Sequence, residues 1–259
     1  MLLNVHMIPH GDELIDLPDR ESMRLNSVIT KIAASETAEV IVILSPHGLT
    51  LEVSASIAMT QYLAGYLDLS SRIIRRRYHN ERDLAKKIAE KSSGLFQKFH
   101  FITSSGTKSV FPLDFGSLIP LSFFPVKNIC AIGQPRITDR PVLRRMGEIL
   151  FRAINDYEKS VSVIFSCDQA HTHSAEGPYG YSPHAAEYDE IVRKYIESGD
   201  PQDLQSLPDS FLEEAKPDSY WNLMIMDGLL RASGKRIRFM DYYVALYFGM
   251  MVATTKIKD

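Results

Sequence analysis

Four apolar runs rich in β-branched residues punctuate the chain, and segments of helical period separate them. They occupy residues 2–8 (LLNVHMI), 39–44 (EVIVIL), 126–132 (VKNICAI) and 161–165 (VSVIF). Runs without apolar–polar alternation suit strands covered on both faces, as in a parallel sheet. Residues 22–34 space Met23, Val28, Ile29 and Ile32 as one helical face. A second helix starts at Thr138, Asp139 and Pro141 and buries Val142, Met146, Ile149, Leu150, Ala153 and Ile154. Strands alternating with helices specify an α/β fold. We expect one domain over residues 1–259, with a mixed, mostly parallel central sheet and helices on both faces.

The remaining segments complete this layout. Residues 51–60 read as a strand, and Asn80-Glu81-Arg82-Asp83 opens a helix carrying Leu84, Ile88 and Leu95. Residues 111–124 combine apolar side chains with Gly and Pro, as in a loop with a short helix. Further helices are expected near 184–197, 201–206, 208–215 and 219–233, the last ended by Gly234, and the tail 236–255 suits one or two strands. No repeat or low-complexity linker interrupts the 259 residues.

Charge and composition exclude several functions. With 29 basic and 32 acidic side chains the net charge is −3, which lacks the basic excess of a nucleic-acid binder. The single basic run, Arg75-Arg76-Arg77, reads as a solvated strand end. Cys130 and Cys167 both lie in apolar runs, which suits reduced thiols and a cytoplasmic setting. The most apolar window, 242–253, falls short of the ~20 residues that a spanning helix needs, and the start lacks signal-peptide character.

The 8 histidines become informative through their places. His10, His47 and His171 each follow an expected strand end, where open α/β sheets bind ligands. Proline precedes and glycine follows both His10 and His47, which fixes the backbone and holds the rings as metal ligation requires. His79 and His100 read as ordinary loop residues, and His184 as structural or at a rim.

These motifs carry a family resemblance. Ile8-Pro9-His10-Gly11, Ser45-Pro46-His47-Gly48 and Ser166-x-Asp168-x-x-His171 resemble successive motifs of the class III extradiol ring-cleavage dioxygenases. That superfamily includes the catalytic B-subunit of protocatechuate ring-opening dioxygenase. Weaker matches run from Leu113-Asp114-Phe115-Gly116 to Ile119-Pro120-Leu121, from Ala215-Lys216-Pro217-Asp218 to Asp227-Gly228-Leu229-Leu230, and over Tyr247-Phe248-Gly249-Met250. The resemblance implies a non-haem Fe(II) held by His10, His47 and a carboxylate, on a face that leaves positions for substrate and O₂. It places Asp218 at the third ligand, where some branches carry Glu and the Memo branch carries Cys. Glu213 and Glu214 are nearby alternatives, and Pro217-Asp218-Ser219 is also an ordinary helix cap.

By the same resemblance His171 is the acid–base histidine, for which imidazole suits a proton transfer near neutral pH. Asp168 orients that ring or caps the strand end, His173 contacts substrate, and Tyr179 and Tyr181 wall an aromatic pocket. Many ring-cleaving members carry histidine where this chain has Phe115, which stacks but cannot hydrogen-bond. The implied partners are a small aromatic substrate and O₂, with no nucleic acid or membrane; a homo-oligomer or a second subunit both remain open. The implied activity is extradiol opening of a catechol-like or aminophenol-like ring. A Memo-like binding module without ring cleavage and a zinc-dependent variant are the rivals. No Gly-x-Ser-x-Gly elbow, P-loop, dinucleotide fingerprint, Cys-x-x-Cys or His-Glu-x-x-His occurs. Cys167 suits a core position better than a nucleophile.

Overall fold

A computed structural model of the protein describes residues 1–100, 109–126 and 128–255. Its strands are β1 (Leu2–Ile8), β2 (Val40–Ser45), β3 (Ala55–Ala58), β4 (Tyr62–Asp68), β5 (Ile73–Asn80), β6 (Phe96–Phe99), β7 (Val110–Pro112), β8 (Asn128–Gly133), β9 (Val161–Ser166), β10 (Arg238–Ala245) and β11 (Phe248–Thr254). Its helices are α1 (Glu13–Asp16), α2 (Arg20–Ala34), α3 (Arg82–Lys91), α4 (Phe115–Phe123), α5 (Arg140–Asn155), α6 (His184–Ser198), α7 (Gln202–Ser206), α8 (Asp209–Ala215) and α9 (Tyr220–Ser233).

All eleven strands join one mixed sheet in the order β10-β11-β1-β9-β2-β8-β5-β4-β7, with β3 pairing β8 and β6. The centre, β1-β9-β2-β8, is parallel throughout, as unbroken apolar runs require. Along β2, Val40, Val42 and Leu44 enter the core on one face while Ile41 and Ile43 enter the core on the other. Helices α3, α5, α6 and α9 cover the first face, and α2 and α4 the second. The α/β reading with helices on both faces is therefore borne out. Helices α5 and α9 pack with their backbones in contact: Gly147 and Gly228 face main-chain atoms of the opposing helix and leave no room for a Cβ.

Several local expectations need correction. The strand read at 51–60 is only β3, because the chain turns immediately into the hairpin β4–β5, which had no apolar signature. Arg75, Arg76 and Arg77 lie inside β5, not at its end, and His79 is a strand residue rather than a loop one. One face of this hairpin is in water, and arginine–tyrosine stacking conceals its period. Arg77 lies 4.1 Å over the Tyr62 ring and Arg75 5.1 Å over Tyr66. Leu95 falls after α3 rather than within it. The third apolar strand begins at Asn128, one residue past Lys127, which lies outside the described residues. In α5, Leu143 takes the buried position expected of Val142. The tail forms two strands, which extend the sheet antiparallel beside β1.

A buried histidine–carboxylate contact ties the start of the chain to the turn before β2. His6 Nε2 lies 2.9 Å from Glu36 Oε2, and its Nδ1 lies 2.8 Å from the Thr254 hydroxyl. Glu36 also accepts from the Asn4 amide and from the backbone of Thr37 and Ala38. Burial opposes its charge, but the bond from His6 and the Ala38 N–H outweigh it and hold the carboxyl at about 2. A depressed carboxyl contributes stability above its ordinary value of 4.5 and loses it as pH falls toward 2. Glu36→Ala is expected to cost about 3 kcal/mol in urea unfolding at pH 7. The gap between variant and wild type should narrow steadily as the titration is repeated between pH 5 and about 2.

Candidate metal centre and active site

Because β1, β9 and β2 are parallel neighbours, their carboxyl ends open side by side. His10 stands two residues past β1, His47 two past β2, and Asp168 and His171 follow β9. The fifth side chain comes from far along the chain. Asp218 precedes α9, whose start is fastened over the strand ends by two buried amides. Gln134 Nε2 donates to the Asp218 carbonyl at 2.7 Å and its Oε1 accepts from Asn222 N–H at 3.1 Å. Asn222 Nδ2 in turn donates to the carbonyls of Leu44 and Ser166, the last turns of β2 and β9.

Three donor atoms converge there. His10 Nε2 and His47 Nε2 lie 3.1 Å apart, and Asp218 Oδ2 lies 3.0 Å from the first and 3.1 Å from the second. Ligands at ~2.1 Å on adjacent positions of an octahedron are separated by about 3.0 Å, so this triangle matches one face around a single ion. The donor set also suits a cation chemically, since two imidazole nitrogens and a carboxylate oxygen meet at one point.

The supporting bonds set the tautomer of His10. The Ser166 hydroxyl donates to the Gly116 carbonyl at 2.5 Å, so it must accept from His10 Nδ1–H at 2.8 Å, leaving the Nε2 lone pair toward the centre. Asp168 holds the same histidine: Oδ1 accepts from the His10 backbone N–H at 2.9 Å and Oδ2 lies 3.3 Å from Nε2. Around His47, Asp114 accepts from Ser45 Oγ at 2.6 Å, and Ser45 Oγ accepts from the His47 N–H. Gly116 is required here, because a Cβ would lie 2.7 Å from Ser45 Oγ and 3.0 Å from the His47 ring. Partners of this kind are worth 10–100-fold in metal affinity, so Ser166→Ala is expected to weaken metal binding by about that factor in a chelator competition titration.

The electrostatics are those of an anionic nest around an imidazole. Burial opposes charge on His10, but Asp168 and Asp218 outweigh it and raise the ring to about 9. Asp218 is likewise opposed by burial, yet the His10 charge and the bonds from His10 and His47 hold it well below the carboxylate range. Asp168 is pushed up, chiefly by burial. Cys167 is fully buried and its thiol is pushed far up, which leaves it no nucleophilic role.

A cavity of about 480 Å³ opens onto this centre and is lined by His10, His47, Phe115, Asp168, His171 and Tyr179, together with Glu13, Leu246, Tyr247 and Phe248. His171 Nδ1 donates to the Gln169 carbonyl at 2.9 Å, so its Nε2 carries the lone pair, and its ring stacks on Phe248 at 5.4 Å. Ligand atoms of His171, Asp168 and Asp218 lie within 4.8 Å of one another. Phe115 stacks against His47, with ring centroids 4.2 Å apart. A second cavity of about 260 Å³, lined by Arg136, Lys216 and Trp221, also reaches His47, His171 and Asp218.

Other expected residues lie elsewhere. His173 does not line either cavity; its Nε2 bonds Asp189 at 2.8 Å, beside the Tyr242 hydroxyl on the same carboxylate. Tyr181 pairs across to His173 and is largely exposed. Glu213 is bonded to Lys216, and Glu214 faces His184. Asp218 is not the cap of α9; that residue is Ser219, whose hydroxyl donates to Asp218 Oδ1. Sequence reasoning missed Gln134 and Asn222. Asn222 left a signal, as an amide amid the apolar residues of its helix, whereas Gln134, between Gly133 and Pro135, sits in an ordinary strand-ending sequence.

Residues 5–254 match the family described as the catalytic LigB subunit of aromatic ring-opening dioxygenase. The chain belongs to this family. Protein CA_C1420 of Clostridium acetobutylicum is 24% identical over 188 residues, which cover 69% of this chain but only 40% of that longer protein. The crystal structure of uncharacterized protein JW3007 from Escherichia coli K12 superposes with a TM-score of 0.64 at 13% identity, covering 97% of this chain and 99% of that one, a likeness of fold. Among the described residues no helix is long and apolar enough to cross a membrane.

Proposed function

We propose that this family member is an Fe(II)-dependent extradiol dioxygenase that opens a catechol-like or aminophenol-like ring with O₂. The observation that carries the reading is the triangle of His10 Nε2, His47 Nε2 and Asp218 Oδ2, with edges of 3.0 to 3.1 Å, whose two histidines line an aromatic-walled cavity. His10, His47 and Asp218 would hold Fe(II), which would supply the redox chemistry between an aromatic ring and O₂.

The chain's own groups do the rest. His171 Nε2, with its lone pair facing away from the Gln169 carbonyl, takes the phenolic proton and returns it as the ring opens. Asp168 fixes His10 through its backbone N–H and adds negative charge beside any imidazolium. Phe115, Tyr179, Tyr247 and Phe248 hold the flat substrate and exclude water. Anaerobic reconstitution with Fe(II), followed by air and a panel of catechols, should yield an absorbing ring-opened product. Bound metal without product from any panel member defeats the reading.

Phe115 favours a second one, since a stacking ring stands on His47 where many ring-cleaving members place a histidine. A Memo-like module would use the fold without ring cleavage. Such a protein should bind no metal as purified and lose none on His10→Ala. The same donors suit Zn²⁺, so elemental analysis of protein purified without added metal decides the ion, with iron expected.

A further inference from the structure

Asp189, on α6, is 3% exposed and lines neither cavity, yet its carboxylate is committed to the loop that carries His171. Its Oδ1 accepts from the Ala170 backbone N–H at 3.0 Å. Its Oδ2 accepts from the Tyr242 hydroxyl at 2.6 Å and from His173 Nε2 at 2.8 Å. Burial and then the Asp189 charge push the Tyr242 phenol far up, so that group stays a donor. A carboxylate offers only acceptors. Its three donors come from the residue before His171, from the second residue after it and from β10.

The bond to Ala170 reaches furthest. The Ala170 N–H and the Gln169 carbonyl are the two ends of one planar peptide unit. That carbonyl accepts from His171 Nδ1–H at 2.9 Å. Asp189 Oδ1, the peptide and the imidazole therefore form one hydrogen-bonded series. The anion at its far end polarises the amide and strengthens the carbonyl as an acceptor. The same segment is laid along β11: Gln169 N–H donates to the Gly249 carbonyl at 2.8 Å, and Gly249 N–H donates to the Ala170 carbonyl at 3.0 Å. A Cβ on Gly249 would overlap Asp189 Oδ2. The glycine of Tyr247-Phe248-Gly249-Met250 thus makes room for this carboxylate, immediately beside the Phe248 ring on which His171 stacks.

We propose that Asp189 is a positioning residue for His171: through the Gln169–Ala170 peptide it holds the imidazole in the tautomer with Nδ1 protonated and Nε2 free to take a proton. The inference rests on the acid–base reading of His171 given above, and one arm of its test is independent of turnover.

Asp189→Asn keeps the shape of the side chain and removes its charge. In the Fe(II)-loaded chain it should lower kcat about 10–100-fold, with metal content and the KM for catechol within about twofold of wild type. On a His171→Ala background the same change should lower the rate by less than about twofold, because the group it positions is gone. Tyr242→Phe, which leaves Oδ1 on Ala170, should stay within about threefold of the wild-type rate.

The arm without turnover uses the chain with Zn²⁺ added in place of paramagnetic iron. Nitrogen NMR spectra of the labelled histidines are recorded well above the ordinary imidazole value of about 6.5, with the His171 signal identified by its loss in His171→Ala. Wild-type His171 should be protonated at Nδ1 and slow to exchange that proton with water. In Asp189→Asn the exchange should be at least about tenfold faster. Where circular dichroism shows that variant unfolded, Asp189→Ser serves, with the same expectations. A wild-type ring protonated at Nε2 alone, a kcat or an exchange rate indifferent to the variant, or a fully additive loss on the His171→Ala background overturns the proposal. If the wild-type chain opens no ring, the kinetic arm falls with the dioxygenase reading and the spectra alone decide Asp189. Ring opening with a His171 signal indifferent to Asp189→Asn does the reverse.

Discussion

Asp218→Ala is expected to strip the chain of its metal and to lower ring opening by at least about a thousandfold, since even groups that merely support a ligand are worth 10–100-fold. The carboxylate is the anionic corner of the triangle, and without it two imidazole nitrogens 3.1 Å apart face each other with no compensating charge. The fold should survive, because the bond that fastens this point is made by the Asp218 main-chain carbonyl to Gln134, not by the side chain. Elemental analysis after gel filtration, with the melting transition measured alongside, checks both halves. A variant that keeps stoichiometric metal and full rate would show that another carboxylate, Asp168 foremost, is the ligand.

His171→Ala should produce the opposite division. Positioned proton transfer contributes about 10²–10⁴-fold, so the ring-opening rate should fall by that factor while metal content stays at the wild-type level. The ring is held for this role by the Gln169 carbonyl on one edge and the face of Phe248. Because its ligand atom lies within 4.8 Å of those of Asp168 and Asp218, metal content is the discriminating measurement. Loss of metal together with rate would move His171 into the ligand set and end its assignment as acid and base.

Parts of this centre were readable in the chain because they depend on local pattern. An unbroken apolar run must be covered on both faces, so β1, β2, β8 and β9 declare themselves central, and whatever follows them stands at the sheet's binding edge. That reasoning placed His10, His47 and His171 without any knowledge of contacts. The hairpin β4–β5 was illegible for the complementary reason. Its outward face is solvated and its arginines lie on tyrosines, so neither composition nor period marks it as sheet.

Read by itself, then, the sequence determined the α/β class, the parallel core and three histidines at strand ends, all consequences of periodicity and turn chemistry. Only the tertiary structure decided which groups meet. The order β1-β9-β2 brings strand ends distant in sequence side by side, and Asn222 and Gln134 pin the start of α9 above them. That placement turns Asp218 toward His10 and His47, sends Glu213 to Lys216 and Glu214 to His184, and leaves His173 on Asp189. A side chain's direction at a helix start or in a loop follows no period; it is set by the through-space bonds that fasten the backbone on either side.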